Sequence, residues 1–536
     1  LIEAVKGKLI YGTVKNRKGL KYRKIVKKYS LLTLGLLSFC QGCKNHNSQS
    51  SEAPNIVIIY LDDLGYGDVG VYGATQLKTP NIDKLANEGI RFTNCYSTSA
   101  TCTPSRYALL TGEYPWRNER ARILAGTASL IIDTAQVTIP GILKQQGYHT
   151  GIVGKWHLGL GYGDIDWNKR ISPGPNETGF DYSFIMAATQ DRVPTVYLEN
   201  GYVMGLDPDD PLEVNYEMNF AGEPTGLSNP DLCRIMWQHG HNGSINNGIP
   251  RIGFQRGGKS AMWVDEDMAD IYLAKAKEYI RKQKTFPFFL FFALHQPHVP
   301  RTPHSRFAGT TGMGPRGDVI AEADWCVGEL IKTLEQEGLI ENTLVIFSSD
   351  NGPVLNDGYY DDAVEKAGEH TPWGPLRGGK YSLFEAGTRI PFISYWKNKI
   401  KPSVSDALIS QVDLFSSLAR LVGSDARTTD SQELLDVLLG KSNKGRENII
   451  IEATTRTALR KGDWVMIPPY EGPEINTQVN IELGNSSEYL LYNLKEDIGQ
   501  KNNLAGSQPD KLREMMITFG NIRGGQYQEI EELELK

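Results

Sequence analysis

Asn55–Leu61 reads NIVIIYL, an almost unbroken apolar run. A strand with one wet face alternates polar and apolar residues, so an unbroken run must be covered on both faces. Phe286–Leu294 (FPFFLFFAL) and Thr343–Phe347 (TLVIF) have the same character. Helical segments lie between them. Thr79-Pro80 is a capping residue followed by a proline suited to the first turn, and Gly89 ends that helix. Pro140–Gln146 repeats the device and stops at Gly147, ahead of a short strand His149–Val153. Asp265–Lys282 and Asp318–Gly338 read as further helices, Ile390–Trp396 as a further strand. The alternation predicts an α/β fold, a large and mostly parallel central sheet flanked by helices. Ligands of such sheets bind at the carboxyl ends of the strands.

The 536 residues exceed one small core and suggest a large domain with smaller units. Residues 160–260, rich in Gly, Pro, Asn and aromatics, read as long surface loops and small hairpins, where specificity is usually built. After about residue 425 the pattern changes. Ala458–Ile467 and Tyr489–Asn493 read as antiparallel strands and Pro509–Phe519 as a helix, predicting a smaller C-terminal α+β subdomain over 426–536 behind a main domain at 54–425. A formal net charge of −6 argues against a general nucleic-acid binder, which needs a basic surface.

The basic run Lys21–Lys28, the apolar Leu31–Phe39 and Cys40-Gln-Gly-Cys43 read as an export signal within residues 1–43. The apolar stretch is too short for a stable span. A bacterial lipoprotein signal, with Cys43 lipidated, is the favoured form and simple secretion the alternative. The expected location is the periplasm or cell surface. Residues 44–53 suit a polar tether, and residues 1 to about 20 are set aside from the fold reading. The six cysteines match no zinc pattern and are too sparse for a disulfide scaffold.

Two acidic pairs follow buried runs: Asp62-Asp63 after the first and Asp350-Asn351 after the third. Adjacent carboxylates repel unless something positive sits between them. Oxygen side chains without histidine or cysteine suit a hard cation such as calcium, although Asp and Asn also favour turns. Cys102-Thr-Pro-Ser-Arg106, followed by Tyr107–Gly112, places a cysteine at the start of a short helix, where partial positive charge favours an anion. Gly154-Lys155-Trp156-His157-Leu158-Gly159 puts a lysine and a histidine two apart after a strand; on an extended segment they would point the same way.

The Cys-x-Pro-Ser-Arg string resembles the signature of type I sulfatases, members of the alkaline phosphatase superfamily. The resemblance extends over most of residues 54–400. It also takes in Leu459–Trp464 and Leu491–Gln500, which look like that family's small terminal sheet. It implies that Cys102 becomes formylglycine, whose hydrated aldehyde attacks sulfur with one hydroxyl and later expels sulfate with the other. It implies calcium held by Asp62, Asp63, Asp350, Asn351 and the modified residue 102. Lys155 becomes an anion clamp, His157 a base, and His298, in Pro-His-x-Pro, the general acid. Lys380, in Arg-Gly-Gly-Lys, becomes a second sulfate-binding lysine, and Arg106 offsets charge near the metal. His295 reads as structural, and Glu385 with Arg389 as an ion pair.

The expected reaction is sulfate ester hydrolysis on a sulfated carbohydrate of host or environmental origin. Ala187–Gly201 and Val354–His370 resemble a subgroup associated with O3-sulfated galactose or N-acetylgalactosamine. Gln190, Asp191, Arg192 and His370 are the expected sugar contacts. The expected partners are the saccharide, a formylglycine-generating or anaerobic sulfatase-maturating enzyme, and a membrane only through a lipid anchor. Two rival readings stand: a phosphatase or phosphodiesterase of the same superfamily, and a non-catalytic glycan-binding lipoprotein. Phosphatases of that superfamily use Ser or Thr with two zinc ions and several His ligands, which the acidic pairs here lack.

Overall fold

The computed structural model describes residues 53–524. The export-type region, most of the tether, Cys43 and the last twelve residues lie outside the described residues. The main sheet has ten strands. In chain order they are β1 (Asn55–Leu61), β2 (Ile90–Phe92), β3 (His149–Lys155), β4 (Tyr182–Met186), β5 (Leu198–Glu199), β6 (Tyr202–Val203), β7 (Phe288–Ala293), β8 (Thr343–Ser349), β9 (Phe392–Tyr395) and β10 (Ser403–Ser405). In space they run β10-β2-β9-β8-β1-β7-β3-β4-β5-β6. The central block β8-β1-β7-β3-β4 is parallel throughout.

The helices are α1 (Pro80–Glu88), α2 (Cys102–Thr111), α3 (Ile139–Gln145), α4 (Met268–Gln283), α5 (Gly314–Gln336) and α6 (Leu414–Leu421). Alternate residues of β1 enter opposite cores, which is why the run carries no wet face. Ile56, Ile58 and Tyr60 pack with residues of α2, α3 and α6. Val57, Ile59 and Leu61 pack with residues of α1, α4 and α5. Each fully buried aliphatic side chain contributes about 1.5–3 kcal/mol.

Two expectations about the main sheet and its loops are corrected. Tyr182–Met186 (YSFIM), read as part of a loop region, is a buried strand that extends the parallel block. Five residues, four of them apolar, are too few for periodicity to stand out. The small hairpins expected there do form, pairing Glu213–Asn215 with Phe254–Arg256 and Ile245–Asn246 with Ile249–Pro250. The segment read as Ile390–Trp396 is the shorter β9, antiparallel to β8.

A second sheet, of four antiparallel strands, comprises β11 (Asn448–Ala453), β12 (Arg456–Lys461), β13 (Trp464–Ile467) and β14 (Leu490–Asn493). A turn through Gly462 splits the single strand expected at Ala458–Ile467 into β12 and β13. Helix α7 (Pro509–Arg523) covers one face through Met515 and Phe519. This sheet also grips the segment that leads into α2. Glu452 donates its N–H to the Thr98 carbonyl at 3.0 Å and accepts from the Ala100 N–H at 2.7 Å. The described cysteines Cys95, Cys102, Cys233 and Cys326 are free thiols.

Helix α5 braces the loop after β7. Glu322 accepts from the His304 N–H at 3.2 Å and from Gln296 Nε2 at 3.3 Å. Burial outweighs these bonds and pushes its carboxyl up to about 7. A carboxyl raised above its unfolded value of 4.5 stabilises the fold fully below that value, and the contribution is lost as pH rises through 7. Glu322→Gln is therefore expected to flatten the fall in stability between pH 5 and about 8, by at most about 3 kcal/mol. Denaturant unfolding at several pH values measures it.

Candidate active site

Register brings the chemistry to one edge. Leu61 pairs with Ser349, so the residues after β1 and β8 emerge side by side. Asp350 donates its N–H to the Leu61 carbonyl at 3.1 Å, and the Asp63 N–H reaches Asp350 Oδ1 at 3.2 Å. Tyr60 pairs with Ala293 and Ala293 with Gly154, which adds the loops after β7 and β3 to the same edge. Helix α2 delivers Cys102 at its first turn, and Gly112 closes it in the left-handed region, its N–H on the Ala108 carbonyl.

Three carboxylates converge, and each has a cation on one oxygen. Lys155 Nζ lies 2.6 Å from Asp62 Oδ2, Lys380 Nζ 2.8 Å from Asp63 Oδ2, and Arg106 reaches Asp350 Oδ2 through Nε at 3.0 Å and a terminal nitrogen at 2.8 Å. Burial, followed by repulsion from Asp350, holds the Asp62 carboxyl well above the usual range despite Lys155. Asp62 Oδ1 and Asn351 Oδ1 are buried with no hydrogen-bond partner. Asp62, Asp63 and His298 present ligand atoms all within 4.8 Å of one another. Two orphaned oxygens amid three carboxylates fit a hard divalent cation. Asp62, Asp63, Asp350 and Asn351 supply oxygen; His298 is the nitrogen neighbour absent from the expected ligand set.

Cys102 Sγ lies 3.2 Å from His157 Nδ1. His157 Nε2 lies 2.9 Å from the Leu124 carbonyl oxygen, which can only accept. That bond fixes the hydrogen on Nε2 and leaves the Nδ1 lone pair facing residue 102. Burial, then Lys155 and Arg192, hold the His157 ring well below its usual pKa, so it is neutral. Burial also pushes the Cys102 thiol up, against the pull of Lys155. His157 has φ 55, in the left-handed region, so the extended-strand argument for Lys155 and His157 pointing together does not hold. Both reach the cluster, one from the end of β3 and one from a turn.

His298 donates through Nδ1 to the Val299 carbonyl at 2.7 Å, and its Nε2 stands 3.8 Å from Asp63 Oδ2. Burial, then Lys380, hold it well below its usual pKa. His295 is buried against Tyr272, ring centroids 5.9 Å apart, and Arg389 pairs with Glu385 at 3.1 Å, both as structural roles require.

The expected sugar contacts divide. Asp191 and Arg192 pair with each other at 3.2 Å, and Asp191 also binds His241 Nε2 at 2.9 Å. Their charges act on His298, His157 and Cys102, so they belong to the cluster. Gln190 and His370 are engaged elsewhere. Gln190 Nε2 binds Asp265 and Thr302, each at 3.0 Å. His370 Nε2 binds Asp68 Oδ1 at 2.8 Å, and Arg316 holds the same carboxylate. Sequence reasoning missed His241, which pairs with Asp191 at 2.9 Å, and Asp357, which pairs with Lys380 at 2.9 Å. Neither follows a buried strand run, so only the fold brings them in.

A sequence model of the family described as Sulfatase matches residues 54–424. The chain belongs to the sulfatase family. This sulfatase is 52% identical over 496 residues to an N-acetylgalactosamine-6-O-sulfatase of Bacteroides thetaiotaomicron, covering 91% of the chain and 97% of that relative. It is 32% identical over 488 residues to human arylsulfatase A, covering 86% of each. Among solved structures, one tied to the metabolism of multiple glycosaminoglycans by Bacteroides thetaiotaomicron superposes with a TM-score of 0.87 at 51% identity, covering 88% of the sulfatase and 100% of that chain. The sulfatase is accordingly a sulfuric ester hydrolase.

Removing Arg106 from the sulfatase would leave the buried Asp350 with only Lys155, 4.0 Å away, as a cation. Arg106→Met is expected to lower stability by about 3–5 kcal/mol, read from urea unfolding against wild type.

Proposed function

We propose that the protein hydrolyses the sulfate ester of a sulfated sugar, with 6-O-sulfated N-acetylgalactosamine as the leading substrate. The observation that carries the reaction is Cys102 Sγ at 3.2 Å from a neutral His157, on the edge where Asp62, Asp63 and Asp350 converge. The sugar rests on the 52% identity to a relative that acts at O6. That favours O6 over the O3 position expected from sequence.

When present, formylglycine at position 102 supplies a geminal hydroxyl pair, one to attack sulfur and one to release sulfate as the aldehyde re-forms. Calcium held by Asp62, Asp63, Asp350 and Asn351 would polarise a sulfate oxygen. The chain's own residues do the rest. His157 Nδ1 accepts the proton from the hydroxyl at residue 102. Lys155 and Lys380 turn from their carboxylates toward the sulfate oxygens. His298 Nε2 protonates the oxygen that leaves with the sugar; burial, then Lys380, keep the free ring neutral, and the negative charge of a bound ester favours its protonated form. Asp191, Arg192 and His241 hold sugar hydroxyls. The export signal, with Cys43 as a lipid attachment, fits the same reading, since a scavenging enzyme meets glycans outside the cell.

Four measurements test this. Mass spectrometry of the peptide carrying residue 102, from cells with a maturating enzyme, is expected to show formylglycine; an unmodified thiol in fully active protein sinks that step. His157→Ala is expected to lower kcat about 100- to 10,000-fold on N-acetylgalactosamine 6-sulfate with little change in fold. Wild-type protein is expected to retain calcium through dialysis and Asp62→Ala to lose it, read by elemental analysis. Faster turnover of 3-O-sulfated galactose than of the 6-sulfate would return the substrate to the O3 reading.

A further inference from the structure

Side-chain exposure grades outward from the metal edge. Asp350 and Lys155 are fully buried, Lys380 is 2% exposed and His298 4%. Asp357 is 10% exposed and Arg192 12%. The floor therefore suits the sulfate, and the sugar lies between the two more exposed residues. Arg192 already has a partner in Asp191. Asp357 is the carboxylate of this cluster with no cation of its own: its Oδ2 lies 2.9 Å from Lys380 Nζ, which also serves Asp63 at 2.8 Å.

A second carboxylate on one ammonium is unfavourable beside a site for an anionic ester, since it repels the substrate. A carboxylate can recover that cost as a strong acceptor, through a charge-assisted bond from a hydroxyl. Lys380 sets the reach. Any oxyanion it holds lies within two hydrogen-bond lengths, about 6 Å, of Asp357. On a 6-sulfated hexose the ring hydroxyl nearest the ester is O4. In the galacto configuration O4 is axial, on the same face of the ring as C6; in the gluco configuration it is equatorial, on the opposite face, so the two hydroxyls project in different directions relative to the same sulfated carbon.

We propose that Asp357 is a specificity-determining residue that accepts a hydrogen bond from the axial O4 hydroxyl of a 6-sulfated galacto sugar. This rests on the sulfatase reading above. Neighbouring groups agree with it. Gly358, the next residue, packs so closely on the His241 ring that a Cβ there would lie 1.9 Å from Nδ1, which sets Asp357 beside the Asp191 wall. Tyr359, two residues on, packs against the His241 ring at 4.6 Å. A strand-like pairing of Trp237 with Tyr359 fastens this loop to the one carrying His241. Mispairing is selective, because a hydroxyl that points elsewhere leaves the carboxylate without its donor.

The test compares kcat/KM on N-acetylgalactosamine 6-sulfate, N-acetylglucosamine 6-sulfate and 4-nitrophenyl sulfate for wild type, Asp357→Asn and Asp357→Ala. Wild type is expected to favour the galacto sugar. Asp357→Ala is expected to lose about 10- to 100-fold on that sugar, mostly through KM, and far less on the other two substrates. Asp357→Asn, which keeps the shape and an acceptor oxygen, is expected to restore part of the loss. Parallel losses on all three substrates would mean that Asp357 only positions Lys380, and would overturn the assignment while leaving the sulfatase reading intact. An unchanged ratio of galacto to gluco turnover would overturn it as well. A mature wild type that turns over none of the three overturns the sulfatase reading and this assignment with it.

Discussion

Charge balance at one sheet edge governs this molecule. Asp62, Asp63 and Asp350 are forced together because β1 lies in register between β7 and β8. Uncompensated, three buried carboxylates would cost more than a domain's whole stability margin. Lys155, Lys380 and Arg106 make them tolerable, one cation to each. Each cation also reaches from a different part of the chain, so the site closes only when β3, α2 and the loop before β9 are all seated.

That arrangement explains how the site can be both stable and reactive. The cations bind one oxygen of each carboxylate and leave others free, among them Asp62 Oδ1. The same lysines that neutralise the acids are positioned to serve an incoming anion. Burial keeps His157 neutral and its Nδ1 open toward residue 102. The Leu124 carbonyl, a single backbone acceptor, sets the tautomer on which proton removal depends.

Much of this was legible from the chain alone. Unbroken apolar runs must become two-faced strands, and short polar strings directly after them must meet at one edge. That logic located Asp62, Asp63, Asp350, Asn351, Lys155, His157 and His298. It failed where no local pattern exists. Asp357 and His241 sit on loops, joined by a pairing of Trp237 with Tyr359 that no periodicity announces. Gln190 stands beside Asp191 in sequence, yet its amide turns into Asp265 and Thr302. Side-chain direction in an irregular segment is decided by tertiary partners. His157 is the mixed case: its identity was readable, its left-handed backbone was not.

The grip of β11 on the strand-like approach to α2 has a temporal consequence. Residue 102 is 2% exposed once folded, which closes it to any macromolecular reagent. The Thr98 and Ala100 backbone bonds that help hold it there come from Glu452, about 350 residues later in the chain. At ribosomal speeds that interval lasts roughly 20 to 70 seconds. Any protein that must handle residue 102 works before this strand is seated, on a chain that has not yet closed over it.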